Sequence, residues 1–210
     1  MKIKILIFSV LSTVIILLIG LIFWKQEYKF TLPTPKPRNY VEVHQGDSVD
    51  IQYSAAQPTY YHFYNYDCPC SRFNIKEFQS LVNKYKNEVK FYAVIETEDI
   101  SSDDVNDFLE KYDLGIEVIK DSEGHLAQAL GVYSTPQAVL IKDHKVYYKG
   151  NYNKARFCLS KNTKFAAQAL EAMIKGEKVP DFPMVAEIAY GCELPSNTNK
   201  SNTFFSFLDL

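Results

Sequence analysis

From Ile5 to Trp24 the chain runs for twenty residues without a charge (ILIFSVLSTVIILLIGLIFW). At about 1.5 Å of rise each, a helix of this length spans roughly 30 Å, the thickness of a bilayer's hydrocarbon core. The run has no polar face, so it does not pattern as the surface helix of a globular domain. Lys2 and Lys4 precede it, and Trp24 closes it where an aromatic ring sits at a membrane interface. We read it as an uncleaved anchor. A cleaved signal peptide, with its shorter apolar core and small-residue cleavage site, is the alternative. The next stretch, TLPTPKPRNY, carries three prolines in five residues and predicts a stiff extended spacer. Residues 41–52 (VEVHQGDSVDIQ) alternate loosely around a Gly-Asp turn and predict a small leading hairpin.

Beyond residue 58 the rhythm changes repeatedly. TYYHFY (59–64) is aromatic without helical spacing and predicts a buried strand. Phe73, Phe78, Leu81, Val82 and Tyr85 recur at helical spacing between Arg72 and Tyr85, and residues 89–95 (VKFYAVI) form a second strand. Ser101 and Ser102 predict a helix start, with Val105, Phe108, Leu109 and Tyr112 on its apolar face. A short strand at 116–119, a short helix at 123–130, strands at 138–141 and 145–149 joined at Asp143-His144, and an amphipathic helix at 164–175 ending at Gly176 complete the order. An alternating half followed by a hairpin and a closing helix predicts an α/β domain with a mixed central sheet and helices on both faces. The expected organisation is a cytoplasmic N-terminus at 1–4, the anchor at 5–24, spacer and hairpin at 25–57, the domain at 58–195, and a flexible polar tail at 196–210.

Charge narrows the function. Twenty-three Lys and Arg stand against 25 Asp and Glu, a net charge of -2, so no basic excess points to nucleic acid. Four cysteines are too few to staple a chain of 210 residues, and they suggest one or two specific thiol pairs. The anchor implies a single-pass membrane protein whose domain lies in the periplasm or another extracytoplasmic space, where cysteines can be oxidised.

Cys68-Pro69-Cys70-Ser71 falls at a strand-to-helix junction. A thiol at a helix N-terminus faces unpaired N–H groups and the positive end of the dipole, which favour thiolate. Pro69 suits the first helical turn, and Arg72 adds a positive charge within one turn. Cys68 is therefore the candidate nucleophile. A Cys68/Cys70 couple is the preferred pair. The other options are Cys68 acting alone with Ser71 as a silent neighbour, or a distant resolving cysteine, Cys158 or Cys192. Cys158 and Cys192 are also candidates for a structural disulfide with each other. Zinc would need further ligands at suitable spacing, so neither a metal nor another cofactor is expected.

The second signal is LGVYSTPQAVLI (130–141), in which Thr135-Pro136 precedes an apolar strand. Together with Cys68 at its junction and the element order, this run resembles the thioredoxin-like superfamily over roughly residues 58–194. The resemblance is closest to membrane-anchored envelope thiol–disulfide oxidoreductases and to the peroxiredoxin-like branch. It implies a thioredoxin fold, a cis bond at Pro136 packed beside Cys68, and backbone groups of Thr135 that bind a substrate chain. Three features depart from ordinary thioredoxin. Asp67 replaces the usual tryptophan, and Ser71 takes the second cysteine's place. The later segments around 148–152, 169–176 and 191–194, ending in Gly-Cys-Glu-Leu, look like a peroxiredoxin tail.

The resemblance implies thiol–disulfide exchange with exported protein thiols or disulfides, reset by an unidentified redox partner. A peroxidase and a non-catalytic binding module are the alternatives. The peroxidase is disfavoured because Asn65 and Asp67 stand where a Thr or Ser is wanted. The non-catalytic module is favoured by the charge of Asp67 beside the thiol. Glu96, at the end of the second strand, is a candidate proton acceptor, although a solvated carboxylate is the plainer reading. His62 reads as a core histidine, and His125 and His144 as surface residues.

Overall fold

The computed structural model describes residues 2–26, 28–51, 57–66, 68–96, 103–154 and 163–197. Helix α1 (Lys2–Gln26) leaves its apolar side chains uncovered, and it is long and apolar enough to cross a membrane, a test that a signal sequence also meets. Trp24 stacks on Tyr28 at its end, with ring centroids 4.9 Å apart.

The domain follows the expected order, with two short strands, β4 and β7, that the sequence did not predict: β1 (Thr59–Tyr64), α2 (Pro69–Tyr85), β2 (Lys90–Ile95), α3 (Asp103–Lys111), β3 (Glu117–Lys120), α4 (His125–Ala129), β4 (Ser134–Thr135), β5 (Gln137–Lys142), β6 (Lys145–Gly150), α5 (Phe165–Lys175) and β7 (Cys192–Glu193). Five strands form one sheet in the order β3-β2-β1-β5-β6. The β1–β2 and β2–β3 pairs are parallel, whereas β5 and β6 run antiparallel. Short β4 and β7 pair separately. This is a thioredoxin fold.

Strand β1 lies at the centre, and all six of its residues are buried, which is why its sequence shows neither polar alternation nor helical spacing. Its period of two nevertheless divides the core. Tyr60 and Tyr64 face α2 and α5, packing with Phe78, Leu81 and Leu170. Tyr61 and Phe63 face the opposite layer with Leu126, Leu130 and Val139. The β5–β6 turn uses Asp143 and His144 at φ of 51° and 59°, the left-handed pair that a two-residue hairpin demands. Gly176 closes α5 in the same conformation, at φ 73°.

Three expectations need correcting. Residues 41–51 form no hairpin; they turn at Gly46 and cap the start of β6, with Gly46 N–H donating to the Val146 carbonyl and Val146 N–H to that of Asp47. Their buried residues, Val43 and Val49, complete the second core layer, so the loose alternation encoded a packed edge segment. Phe73 and Leu109 are exposed, because the apolar faces of α2 and α3 are narrower than their spacing suggested. Ser196 and Asn197, assigned to the tail, belong to the folded body: Asn197 N–H donates to the Leu194 carbonyl. The Ser101-Ser102 helix start and residues 198–210 lie outside the described residues.

His62 is fully buried on β1, stacked on Phe78 at 4.3 Å, with Nδ1 2.6 Å from the Tyr152 hydroxyl. Burial pushes its pKa down to about 3, so the ring is neutral in the fold. An unfolded histidine binds its proton near pH 6.5, so stability is lost as the pH falls from there towards 3. We expect the wild type's unfolding free energy to fall by up to about 1.4 kcal/mol per pH unit more than that of His62→Phe between pH 6 and 4. Urea titrations across this range give the comparison, and parallel profiles would contradict it.

Candidate functional site

Cys68 is the N-cap of α2, at φ -82° and ψ 115°, with Pro69 as the first helical residue. A tight turn brings the chain there from β1, with Cys68 N–H donating to the Asn65 carbonyl at 3.2 Å. Ser, Thr or Asp would normally fill the N-cap with a side-chain acceptor; here no side chain caps the helix. A Cys68 thiolate therefore sits at the positive, favourable end of the dipole of a seventeen-residue helix.

The Thr135-Pro136 bond is cis. It sits directly against Cys68, whose Sγ lies 3.5 Å from the Thr135 carbonyl oxygen. Residue 68 and the bend at residue 136 thus meet as the sequence resemblance implied.

The sulfur of Cys68 is bonded to that of Cys192, with the two Cα atoms 5.9 Å apart, inside the usual range for a disulfide. Cys192 arrives on β7, which pairs antiparallel with β4 so that Thr135 lies opposite Cys192 and Ser134 opposite Glu193. This overturns the two pairings that placed Cys68 with Cys70 and Cys192 with Cys158. Cys70 is the second residue of α2, and helix positions two apart do not face each other. It is buried outside the disulfide, its carbonyl accepting from Asn74 Nδ2 at 2.9 Å. Cys158 lies outside the described residues, as does Asp67.

Several contacts seat β7. Gly191 (φ 144°) brings its backbone so close that an added Cβ would lie 2.0 Å from the Thr135 carbonyl oxygen. Leu194 is buried in the second core layer, which is worth about 1.5–3 kcal/mol for such a side chain. The Ser196 N–H donates to Glu96 Oε1. Glu96 is accordingly a buried carboxylate holding the tail, and not the solvated one expected. From the other side the proline-rich spacer closes over the segment, with Thr34 N–H donating to the Ala189 carbonyl at 2.9 Å and Thr34 Oγ1 lying 2.8 Å from Ser134 Oγ.

Covered in this way, Cys68 is 1% exposed, whereas Cys192 is partly exposed. Ser71 is fully buried and its Oγ accepts the Asn65 N–H at 3.3 Å, so it braces the turn that presents Cys68. Arg72 is exposed. No group of three or more His, Cys, Asp or Glu suited to a metal occurs among the described residues.

A family described as "Domain of unknown function (DUF6436)" matches residues 40–193. The chain belongs to that family. The DUF6436 match takes in the spacer's end, Cys68, the cis bond and Cys192, so the whole disulfide lies within it. No curated protein matches the sequence. Among solved structures, the DUF6436 domain resembles a hypothetical protein from Sinorhizobium meliloti 1021 at 17% identity and a TM-score of 0.61, covering 74% of this chain and 96% of that one. An uncharacterized conserved protein from Geobacillus kaustophilus gives 19% identity and the same TM-score, covering 78% and 97%. A thioredoxin-like protein in its oxidized form gives 14% identity and a TM-score of 0.49, covering 70% and 98%. At these identities the likeness concerns the fold, and the chemistry rests on the site's own geometry.

If Gly191 is what lets β7 close on Thr135, Gly191→Ala strains the oxidised form and not the opened one. A non-glycine residue at positive φ costs about 1–3 kcal/mol, so we expect the equilibrium with dithiothreitol to move towards the dithiol by roughly tenfold. Thiol titration in graded redox buffers reads this shift, and an unchanged midpoint would show that the tail is not so constrained.

Proposed function

We propose that the chain is a membrane-tethered thiol–disulfide oxidoreductase acting on exported protein thiols and disulfides, with Cys68 as nucleophile and Cys192 as its resolving partner. The observation that carries the reading is the Cys68–Cys192 disulfide at the start of α2, directly beside the cis Thr135-Pro136 bond. A structural staple gains nothing from a helix N-cap that stabilises thiolate; an exchanging sulfur does.

In the reduced protein the Cys68 thiolate attacks one sulfur of a substrate disulfide. The bond between the two substrate sulfurs breaks, the first substrate thiolate leaves, and Cys68 is joined to the second sulfur. Cys192, as thiolate, then attacks Cys68 Sγ. The Cys68–Cys192 bond forms, the mixed disulfide breaks, and the second substrate thiolate departs. Two electrons have passed from the protein's thiols to the substrate. A thiol reductant of the membrane or of the exported compartment returns them, entering at Cys192, the less buried member of the pair. Thr135 contributes backbone hydrogen-bonding groups at the strand edge that holds the incoming chain.

The tether reading is supported by α1, whose apolar residues the domain leaves uncovered, and by Lys2 and Lys4 in its first turn, ahead of the uncharged run. With the N-terminus in the cytoplasm, the proline-rich spacer holds the domain just beyond the opposite membrane face.

Insulin reduction driven by dithiothreitol tests the roles. Cys68→Ser is expected to abolish catalysis, and Cys192→Ser to accumulate a mixed disulfide visible by mass spectrometry. Cys70→Ser is expected to retain most of the wild-type rate. Turnover that survives Cys68→Ser would remove the assignment, and loss of turnover in a folded Cys70→Ser protein would return Cys70 to the cycle.

A further inference from the structure

The edge of β4 is already occupied by a cysteine-bearing strand of this same chain, and that strand records what the edge accepts. β7 lies antiparallel to β4 with its cysteine opposite Thr135 and its sulfur on Cys68. These are the contacts a substrate chain would make at the mixed-disulfide stage. One feature of the occupant is dictated by backbone alone. A Cβ on the residue before the cysteine would lie 2.0 Å from the Thr135 carbonyl oxygen and 3.0 Å from its carbonyl carbon. Neither atom can yield readily, because Thr135 is fully buried and lies where β4 runs into the buried strand β5. At φ 144° that residue also has a conformation that suits glycine. Two positions beyond the cysteine, Leu194 fills an apolar site with Leu126, Leu130 and Val132.

We propose that the β4 edge is a docking surface for an extended protein segment of the form Gly-Cys-x-apolar, which enters in place of β7, and that residues 191–194 are the intramolecular copy of that partner. The proposal rests on the oxidoreductase reading. It gives the substrate a sequence requirement, glycine immediately before the reactive cysteine. It also makes the two occupants exclusive, since one edge pairs with one strand. The resolving attack by Cys192 therefore brings in the strand that displaces the product.

The test uses the full chain in detergent micelles, reduced and freed of reductant, with blocked peptides Ala-Tyr-Gly-Cys-Glu-Leu-Pro and Ala-Tyr-Ala-Cys-Glu-Leu-Pro, each as its symmetric disulfide. Each peptide disulfide takes two electrons from the protein dithiol, giving two peptide thiols and the Cys68–Cys192 bond, with no other reductant required. Release of peptide thiol is followed by chromatography, and the same disulfides are reduced by dithiothreitol to calibrate their intrinsic reactivity. The glycine peptide is expected to react with the protein at least about tenfold faster than the alanine peptide, a difference of about 1.4 kcal/mol, while dithiothreitol treats them alike. Equal rates with the protein would overturn the glycine requirement and leave the oxidoreductase reading standing. No reaction with either peptide, when titration shows Cys68 reduced, would overturn that reading and this inference with it.

Discussion

The chain's chemistry depends on one contact: the Cys68 sulfur against the carbonyl of Thr135, at the point where a helix begins and a cis bond turns the neighbouring chain. Each partner needs the rest of the fold to hold it. Cys68 is delivered by β1, the fully buried central strand, and by a turn that Ser71 braces from inside the helix. Thr135 is delivered by β5, which pairs antiparallel with the same β1, so both sides of the site are set by one strand. The large aromatic core on either face of β1 is what makes that strand rigid enough to hold two chain segments in sulfur contact.

The C-terminal segment completes the site and closes it. Its disulfide links residues 124 positions apart in sequence, and constraining so long a loop is worth on the order of 4–5 kcal/mol in the chain-entropy model. Leu194, the Glu96–Ser196 hydrogen bond and the Gly191 approach all favour the closed arrangement. Contacts that hold Cys192 against Cys68 stabilise the disulfide over the dithiol, so they make the reduced protein a better electron donor. In the proposed cycle the geometry of the tail and the direction of electron flow are thereby linked.

Most of the architecture was legible in the sequence because its signals are local. Strand β1 announced itself by buried aromatic residues, the β5–β6 turn by Asp143-His144, and α5 by its periodicity and its terminal Gly176, whereas the cis bond at Thr135-Pro136 followed only from the resemblance to thioredoxin-like proteins. What escaped was non-local. The choice between Cys70 and Cys192 as partner of Cys68 is a matter of direction and chain return. Spacing along the sequence favoured the nearer cysteine, whereas the returning chain brings the distant one onto Cys68. The signal was present in Gly191-Cys192-Glu-Leu, where a glycine before a cysteine and an apolar residue two beyond describe a short paired strand. Glu96 was misread for a similar reason: a carboxylate at a strand end is normally solvated, and only the returning tail buries it. Residues 41–51 alternated like a strand yet packed as a turn, because the edge they meet at β6 supplied the hydrogen bonds a hairpin would have made internally.

Connectivity decides the account most directly. The soluble part, or the full chain, is alkylated without reduction, digested, and mapped by mass spectrometry for disulfide-linked peptides. The account predicts a cross-link between the peptide carrying Cys68 and the peptide carrying Cys192, lost on treatment with dithiothreitol, with Cys70 recovered outside it. A link joining Cys68 to Cys70, or Cys192 to Cys158, would contradict it.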